Sequence, residues 1–507
     1  MQQDIKMIMK WVLRQYDRKV ERFYILVASI LIWILPSCSM ESNVPSTLSP
    51  LDFGFSQAQT GIQRFEVLQK THSEALKRKL CVSYKGIHSI DLEIPPKAKS
   101  IPLNGDVDFS GVSINVTNTV KDFFLFELTN DLQSIALNAK DIDEGNFTSN
   151  SILKQGLFLV LIKDSCSWVE RRRGYAYGHY RKDMLLVKNG RSLNHTIMPY
   201  DNFYSKPLCE YRLVSEKQTV IKNLKFNRSK LSTKKTKLFN ITNQNNILIK
   251  NIEVYTPKNS SLKADGVISV SNSTNVFFED IKVDGTYSLS NYYGYAFELD
   301  NIWNLKGERI VADGAWGVFG NNNLNSVKLA DCKINRFDVH CYGRDVVFEN
   351  CVFFDLYNQF SSTFGSVRFH KCVFEDCIPF LYEYSYNAFV PVDIIFKDCK
   401  VNFGKGRNYL VQVKGLSDVV NPRHELSKKS LPNVMMDDCE VIVDSHDTGW
   451  NVISMPEMQY SGLLYYISKI RLKNVRSNVR ATQVNVFPNN IKTLSPIDIS
   501  VDVQKIR

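Results

Sequence analysis

The chain has 507 residues, of which 44% are hydrophobic and 23% are charged, and its formal net charge is +11. This apolar content excludes a disordered chain, and 24 Gly and 16 Pro exclude a collagen-like or low-complexity one. The positive charge favours an anionic partner or surface without identifying it.

The N-terminus has the features of an export signal. Six Lys or Arg side chains precede a thirteen-residue apolar run, Phe23 to Leu35, which is too short to span a bilayer. The residues Leu35-Pro36-Ser37-Cys38 resemble the bacterial lipoprotein box, in which the cysteine is lipidated. We expect residues 1–37 to be a signal peptide and Cys38 to anchor the protein in the outer membrane, in the periplasm or at the cell surface. Ordinary secretion, with Cys38 incidental, is the alternative.

A six-residue phrase recurs ten times between Thr219 and Val475. We number residues relative to the last residue of the phrase, which is position zero. Mostly apolar residues stand at minus five, minus three and zero within the phrase, and at plus two just after it. Spacing by two is typical of a strand with one buried face. The residues at position zero are Leu224, Ile252, Ile281, Ile310, Cys332, Cys351, Cys372, Cys399, Cys439 and Val475.

Asn or Asp stands immediately before position zero in eight of the ten copies. The odd step from minus three to zero would reverse the buried face of a straight strand, so a sharp corner must intervene. Asn and Asp best tolerate the left-handed backbone that such a corner requires. Each repeat is therefore predicted as strand, one-residue corner and strand, one coil of a solenoid with variable loops.

This pattern resembles the right-handed parallel β-helix of the pectin-lyase-like superfamily. Upstream, Asp52-Phe53-Gly54-Phe55 and a helical stretch from Ile62 to Leu80 resemble its entry segment and capping helix. The resemblance implies an all-β fold with an N-terminal capping helix. The predicted divisions are a linker and capping helix (38–85), first coils (86–215), regular coils (216–478) and a C-terminal cap (479–507).

The five cysteines at position zero are predicted to form an interior stack. They occupy the place that Leu, Ile or Val fills in the other repeats, so we interpret them as small hydrophobic residues. Equivalent atoms on neighbouring parallel strands have poor disulfide geometry. No Cys-x-x-Cys motif or His cluster accompanies them, so no metal and no other cofactor is expected.

In the superfamily that this chain resembles, the substrate cleft runs along a third strand of each coil, just before position minus five. Counting back from that position aligns Val318 with Val339 as interior residues. Alternation then predicts that Phe319, Asn321, His340 and Tyr342 point outwards.

These outward residues suggest the chemistry of a polysaccharide lyase. Such an enzyme must neutralise a uronate carboxylate, remove the proton at C5 and protonate the leaving oxygen. Arg344 suits the first role, His340 and Tyr342 suit the other two, and Phe319 is predicted to stack on a sugar ring. The alternative is that His340 and Tyr342 are merely exposed polar residues of a strand.

A second candidate site is a stack of carboxylates. Asp265, Asp313 and Asp338 stand at matching points before the third strand and are expected along one edge of the cleft. Inverting glycosidases need two carboxyl groups about 6.5–9.5 Å apart, which such a stack can supply. The alternatives are a ladder of turn-forming Asp residues and a calcium site, although no dense acidic loop supports calcium.

A third candidate is a basic and aromatic insertion at about residues 170–211. Interleaved Arg and Tyr side chains can pair with carboxylates or sulfates while stacking on sugar rings. A solvated loop is the alternative, and nucleic acid is not an expected partner of an exported protein. The candidate binding residues are Arg171, Arg172, Arg173, Tyr175, Tyr177, His179, Tyr180 and Arg181.

The net charge is concentrated around this insertion. Residues 171–240 hold seventeen Lys or Arg and four Asp or Glu, a local charge of +13. We therefore expect an exported protein that acts on an acidic polysaccharide, with β-elimination as the leading hypothesis. A glycoside hydrolase and a non-catalytic glycan-binding solenoid are the alternatives, since one scaffold supports all three.

Overall fold

The part of the chain that this computed structural model describes begins at Thr47, so the predicted signal peptide and Cys38 lie outside it. Within that part, no helix is long and apolar enough to cross a membrane. The described residues are 47–119, 123–170, 178–196, 207–228, 236–255, 267–284, 295–312, 317–340, 343–355, 357–361, 363–383, 392–404, 407–414, 432–444, 449–454, 469–486 and 498–506.

The secondary structure of these residues is almost entirely strand. The helices are α1 (Gly61–Arg78) and α2 (Ala139–Glu144), with 3₁₀ turns at Pro50–Phe53 and Ala481–Gln483. The strands are β1 (Thr47–Leu48), β2 (Cys81–Ser83), β3 (Ser89–Ile94), β4 (Ile101–Pro102), β5 (Val107–Thr119), β6 (Phe123–Leu128), β7 (Gln133–Ile135), β8 (Leu157–Glu170), β9 (Gly178–Lys188), β10 (Arg191–Ser192), β11 (Leu208–Leu213), β12 (Thr219–Arg228), β13 (Thr236–Thr242), β14 (Asn245–Tyr255), β15 (Ile268–Asp284), β16 (Tyr295–Glu308), β17 (Val311–Ala312), β18 (Gly317–Ala330), β19 (Lys333–Ile334), β20 (Phe337–Val339), β21 (Gly343–Glu349), β22 (Val352–Phe354), β23 (Tyr357–Phe360), β24 (Thr363–His370), β25 (Val373–Glu375), β26 (Ile378–Glu383), β27 (Asp393–Lys397), β28 (Lys400–Phe403), β29 (Tyr409–Lys414), β30 (Asn433–Asp437), β31 (Glu440–Val443), β32 (Trp450–Ser454), β33 (Lys469–Ser477), β34 (Val484–Asn485) and β35 (Asp498–Lys505).

The predicted one-residue corner is present in all ten repeats. The residue before position zero has a φ between 51° and 64° in every copy, which is the left-handed region. The two copies without Asn or Asp, at Arg309 and Lys371, adopt the same conformation at φ 53°. The corner is therefore a property of the repeat, and the Asn and Asp preference lowers its cost.

Parallel stacking of the repeats forms the solenoid. Among the described strands, thirty belong to one sheet system in which β12, β14, β15, β16, β18, β21, β24, β27, β30 and β33 pair in succession. Equivalent residues of successive repeats are direct partners, as Ile249 is of Phe278 and Phe348 is of Phe369. The chain is thus a right-handed parallel β-helix, as predicted.

The core of the solenoid consists of stacked side chains. Phe348, Phe369 and Phe396 stack with ring centroids 5.0 Å apart, close to the spacing of neighbouring strands. The five cysteines at position zero are buried with free thiols, and that of Cys372, for example, donates to the Phe348 carbonyl. Their prediction as interior packing residues is confirmed.

The capping helix is also confirmed, within two residues of its predicted ends. Helix α1 begins after Thr60, whose hydroxyl accepts from the Gln63 backbone N–H, and ends at Lys79 with φ 56°. Its buried face, which includes Phe65 and Leu68, joins the core of the first coils. The helix therefore closes the apolar end of the solenoid, which would otherwise face water.

The parallel pairing continues past the predicted end of the regular coils at residue 478. Strand β34 pairs with β32, and β35 pairs with β33 from Lys469 to Ser477. Most of β35 is exposed, whereas Ile470 of its partner strand β33 is fully buried. Part of the segment expected to be a C-terminal cap is therefore a further layer of the solenoid.

The insertion is larger than predicted and has its own core. Within the described residues, β7 to β11 form a separate antiparallel sheet, spanning Gln133 to Leu213. Strands β8 and β9 form a long hairpin, and Phe158, Val160, Leu185 and Val187 pack against α2 and its surroundings. The insertion is thus a small folded unit, whereas the sequence indicated only its basic and aromatic part.

A buried histidine beneath α1 makes the stability of the protein dependent on pH. The His72 side chain is fully buried, its Nε2 lies 2.8 Å from the Tyr84 hydroxyl, and burial lowers the pKa of His72 to about 3 from 6.5. The unfolded chain therefore binds one more proton than the folded chain between these values. Stability is full above pH 6.5 and falls as the pH drops to 3 and below, by about 5 kcal/mol in total from this residue.

The measurement is the free energy of urea unfolding between pH 7 and pH 4 for the wild type and His72→Gln. Gln can keep the hydrogen bond to Tyr84 but does not titrate, so the variant should lose stability less steeply on acidification. Parallel profiles for the two proteins would contradict a buried neutral imidazole at this position.

Candidate functional site

Strand pairing places the third strands of the middle coils side by side. An inner row, which includes Phe297, Phe319 and Phe337, is fully buried. In each strand, the residue after the inner-row residue belongs to a second row, the outer row, which faces away from the core. The members of the outer row, in order of strand pairing, are Glu127, Asn240, Ser269, Glu298, Gly320, Asp338, Gln359 and Leu381. The polar members of this outer row form one side of the candidate site.

A buried ion pair lies at the centre of this surface. The Arg336 Nε and Nη2 atoms lie 2.6 and 2.5 Å from the two Asp338 carboxylate oxygens, and both side chains are buried. Arg336 Nη2 also donates to Gln359 Oε1 at 3.0 Å, and the guanidinium lies over the Tyr357 ring at 4.1 Å. This two-point contact with stacking fixes the position of the carboxylate.

The Asp338 carboxylate contacts two residues on its solvent side. The Tyr295 hydroxyl donates to Asp338 Oδ2 at 2.5 Å and lies 3.0 Å from His340 Nε2. His340 Nε2 is 3.4 Å from the same carboxylate oxygen, and its side chain is 20% exposed. Tyr295, Asp338 and His340 thus form a connected group that is buried at Asp338 and reaches solvent at His340.

A glycine provides the space that the Tyr295 ring occupies. A Cβ atom on Gly320 would lie 2.2 to 2.6 Å from three atoms of that ring. The ring therefore lies directly on the strand backbone, which sets its height above the sheet. Gly317, where a Cβ would come within 3.0 Å of both Arg336 and Tyr295, has the same function.

The charge state of Asp338 follows from its neighbours. Burial alone would raise the pKa of Asp338, but the charge of Arg336 and the hydrogen bond from His340 outweigh it and leave that pKa below its ordinary value. Asp338 is therefore ionised at neutral pH and acts as a hydrogen-bond acceptor. It cannot serve as the protonated general acid of a hydrolase, and its burial keeps it from substrate, so its predicted place in an exposed carboxylate stack is wrong.

Two further carboxylates lie on β16 beside Tyr295. Glu298 Oε2 is 2.7 Å from Lys237 Nζ, and Asp300 Oδ2 is 2.7 Å from Lys182 Nζ. Both carboxylate side chains are about one-third exposed, at 35% and 33%. The surface next to the Tyr295 group is therefore polar and carries paired charges of both signs.

The insertion docks onto this surface of the solenoid. Besides the Lys182 ion pair, Asn325 Nδ2 donates to the His195 carbonyl at 2.8 Å, and Arg344 Nη1 donates to the Thr196 carbonyl at 3.2 Å. Trp303 packs against the apolar cluster of Leu159, Leu161 and Met184. Because Lys182 meets Asp300 and the later part of β9 meets Trp303, β9 runs along β16 with its first residues towards Tyr295.

The structure contradicts the predicted orientation of Phe319 and Asn321, which are both fully buried. Phe319 stacks on Phe297 with ring centroids 4.6 Å apart, and Asn321 donates to the Asp338 carbonyl at 2.7 Å. The partner of Val339 is Asn321, three residues after the Val318 that the sequence count had aligned with it. An odd shift reverses the two faces of a strand, so neither residue is available to a sugar.

The other predicted site residues have different positions. His340 lies at the surface as predicted, and Arg344 is 39% exposed, 3.5 Å from Asp345. His179, Tyr180 and Arg181 belong to β9, of which the structure describes only the backbone there. The predicted residues outside the described part are Tyr342, Asp265, Asp313, Arg171, Arg172, Arg173, Tyr175 and Tyr177.

Sequence reasoning missed three members of the site: Tyr295, Arg336 and Gln359. Tyr295 begins β16 and is more than forty residues before His340, so only coil stacking brings the two together. The alternation of Arg336, Asp338 and His340 was a signal that could have been found, because alternate residues of a strand share a face. Within the described residues, no group of three or more His, Cys, Asp or Glu is placed to hold a metal ion.

Neither a family model nor a curated protein matches this sequence. Solved structures with a similar fold include the tailspike of Pseudomonas phage phi297, at 10% identity and a TM-score of 0.47, with 85% of this chain and 80% of that one covered. The tailspike of Acinetobacter baumannii bacteriophage AP22, in complex with A. baumannii capsular saccharide, has 11% identity, a TM-score of 0.45 and coverage of 86% and 79%. Endo-xylogalacturonan hydrolase from Aspergillus tubingensis has 10% identity, a TM-score of 0.34 and coverage of 91% and 99%. At these identities the similarity concerns the fold.

Proposed function

We propose that this protein binds an acidic polysaccharide along the outer surface of its third strands and cleaves it by β-elimination at Tyr295 and His340. The observation that carries the proposal is the phenol of Tyr295, which contacts an ionised buried carboxylate and a partly exposed imidazole at once. An elimination requires one group that removes a proton and one that donates a proton, and these two side chains can supply both.

The proposed reaction uses both groups and restores them. The His340 imidazole removes the proton at C5 of a uronate unit, the C4–O4 bond breaks, and the double bond forms between C4 and C5. Tyr295 gives its hydroxyl proton to the leaving oxygen. The proton held by His340 then returns to Tyr295 across their 3.0 Å contact, so the pair is ready for another cycle.

Asp338 and Arg344 have supporting roles in this proposal. The ionised Asp338 orients the Tyr295 hydroxyl and stabilises the imidazolium that forms on His340. We assign neutralisation of the uronate carboxylate to Arg344, whose guanidinium is 39% exposed while one nitrogen is held by the Thr196 carbonyl. Tyr342 stays a predicted contributor.

The charge distribution supports an anionic substrate. The segment from residue 171 to 240 has a net charge of +13, and the first residues of its strand β9 lie towards Tyr295. A polyanion would therefore meet a positive potential beside the proposed cleavage site, which increases its local concentration. The proposed contacts are the predicted binding residues between Arg171 and Arg181.

Hydrolysis is the second candidate, because of Glu298 and Asp300. Alternate residues on one face of a strand are about 6.6 Å apart, within the range of the paired carboxyl groups of inverting glycosidases. Both residues are partly exposed beside Tyr295. Each is already held in an ion pair, Glu298 with Lys237 and Asp300 with Lys182.

The test is incubation of the purified chain with a panel of uronate-containing polysaccharides. We expect an ultraviolet-absorbing unsaturated product together with new reducing ends. New reducing ends without that absorbance would mean that the protein cleaves the polysaccharide by hydrolysis and not by β-elimination. Retention of a glycan on the immobilised protein, with neither product, would leave a non-catalytic binding protein.

A further inference from the structure

A second polar cleft lies at the junction where the insertion rejoins the solenoid. Its volume is about 350 Å³, within the range of small-ligand sites. One wall is the end of α1 with Pro102 to Gly105, the second is the chain leaving β6 at Glu127 to Asn130, and the third is Arg212 to Lys217. The cleft is separate from the Tyr295 group and none of the proposed chemistry uses it.

The frame of this cleft is held by hydrogen bonds. Asn245 Nδ2 donates to the Ser215 carbonyl at 2.7 Å, and Asn104 Nδ2 donates to the Ala75 carbonyl at 3.0 Å. Gln244 and Asn245, which line the floor, are each only 9% exposed. A ligand would therefore enter a site that is already formed, with little loss of side-chain entropy.

Two charged groups in the cleft have unused hydrogen-bonding capacity. Arg212 Nε donates to the Leu213 carbonyl at 3.2 Å, and within the described chain no ion pair involves its guanidinium. Burial lowers the pKa of Arg212, and the nearby charge of Asp131 only partly offsets this. Glu127 accepts from Asn240 Nδ2 through Oε1 alone, and no described cation pairs with it.

These two groups select a ligand that both donates and accepts hydrogen bonds. An anion would meet Glu127, and a cation would meet Arg212, so either would be opposed by an unfavourable charge. Lys217, the other charged residue of the lining, is paired with Asp106 at 2.9 Å. Neighbouring sugar hydroxyls can accept from Arg212 and donate to Glu127. Leu76, Leu103 and other apolar lining atoms can cover the C–H face of a ring.

We propose that this cleft binds a neutral sugar unit of the polysaccharide chain. This inference rests on the proposed function, which identifies the ligand as a polysaccharide. The strand register then indicates the path of that polysaccharide along the solenoid. Glu127 belongs to the same outer row as Glu298, three strands away, which is roughly 14 Å along the solenoid axis. A chain that follows the axis passes both places, so the substrate contains neutral sugars as well as uronates.

The test is saturation-transfer NMR with the full chain and methyl glycosides of glucose, galactose, mannose, rhamnose and N-acetylglucosamine, beside methyl glucuronide and methyl galacturonide. We expect at least one neutral glycoside to bind, and its binding to weaken about tenfold or more in Arg212→Met and in Glu127→Gln. Arg191→Met, an exposed arginine of the same insertion, is the matched control and should bind normally, as should Tyr295→Phe.

The outcomes separate this proposal from the cleavage reaction. Binding that survives in Tyr295→Phe and is lost in Arg212→Met supports the cleft even if no polysaccharide is cleaved. If no neutral glycoside binds, or if only the uronates do, the proposal is overturned. The same holds if Arg212→Met and Glu127→Gln bind as the wild type does, with circular dichroism verifying that each variant is folded.

Discussion

Replacing His340 by Ala is expected to lower the rate of unsaturated-product formation by about 10²–10⁴-fold, the usual contribution of a general acid or base. The substitution removes the proton acceptor and the 3.0 Å contact through which Tyr295 regains its proton. The rate is measured by ultraviolet absorbance on the polysaccharide that the panel identifies. Because the His340 side chain is partly exposed and the Arg336–Asp338 pair remains, the thermal midpoint should change little.

Two further variants make this result specific. Tyr295→Phe keeps the ring that lies on Gly320 and removes only the hydroxyl, so it should lose activity to a similar extent. His370→Ala removes another partly exposed histidine that has a carboxylate neighbour, at 3.3 Å from Asp398, and should keep full activity. Full activity in both His340→Ala and Tyr295→Phe would eliminate the pair as the catalytic groups. A large loss of stability in His340→Ala would assign that residue to structure.

The coils could be predicted from sequence because their determinants are local. Spacing by two and a left-handed corner are both encoded within six residues, and repetition in ten copies makes the pattern unambiguous. Even Lys371 and Arg309, which do not favour φ above zero, follow the repeat because stacking on the neighbouring coils determines their conformation. The capping helix was equally accessible, since Thr60 and Gln63 form its start signal.

The candidate site was harder to predict because it depends on turns of variable length. Asn321 lies six residues before Val327, whereas its partner Val339 lies seven residues before Val346. A count through such turns cannot fix which face a residue occupies, and for Phe319 it gave the wrong one. His340 was placed at the surface as predicted, but its partner Tyr295 comes from two coils earlier and could not be identified from spacing.

Replacing Asp338 by Ala is expected to destabilise the protein by about 3–5 kcal/mol, because it leaves the guanidinium of Arg336 buried without its counter-ion. Arg336 is 2% exposed and Asp338 is fully buried, so water cannot replace the lost carboxylate. The free energy of urea unfolding at pH 7 measures the effect. Activity should fall as well, since the Tyr295 hydroxyl and His340 both lose their shared acceptor.

The double variant Arg336→Met with Asp338→Leu separates these two consequences. Apolar side chains of similar volume remove the unpaired charge, so most of the lost stability should return. Activity should not return, because neither Met nor Leu can orient the Tyr295 hydroxyl. A double variant as unstable as Asp338→Ala would mean that the unpaired guanidinium is not the source of the loss. Recovery of both properties would mean that the buried pair contributes nothing to the reaction, and that Tyr295 and His340 are positioned by the sheet alone.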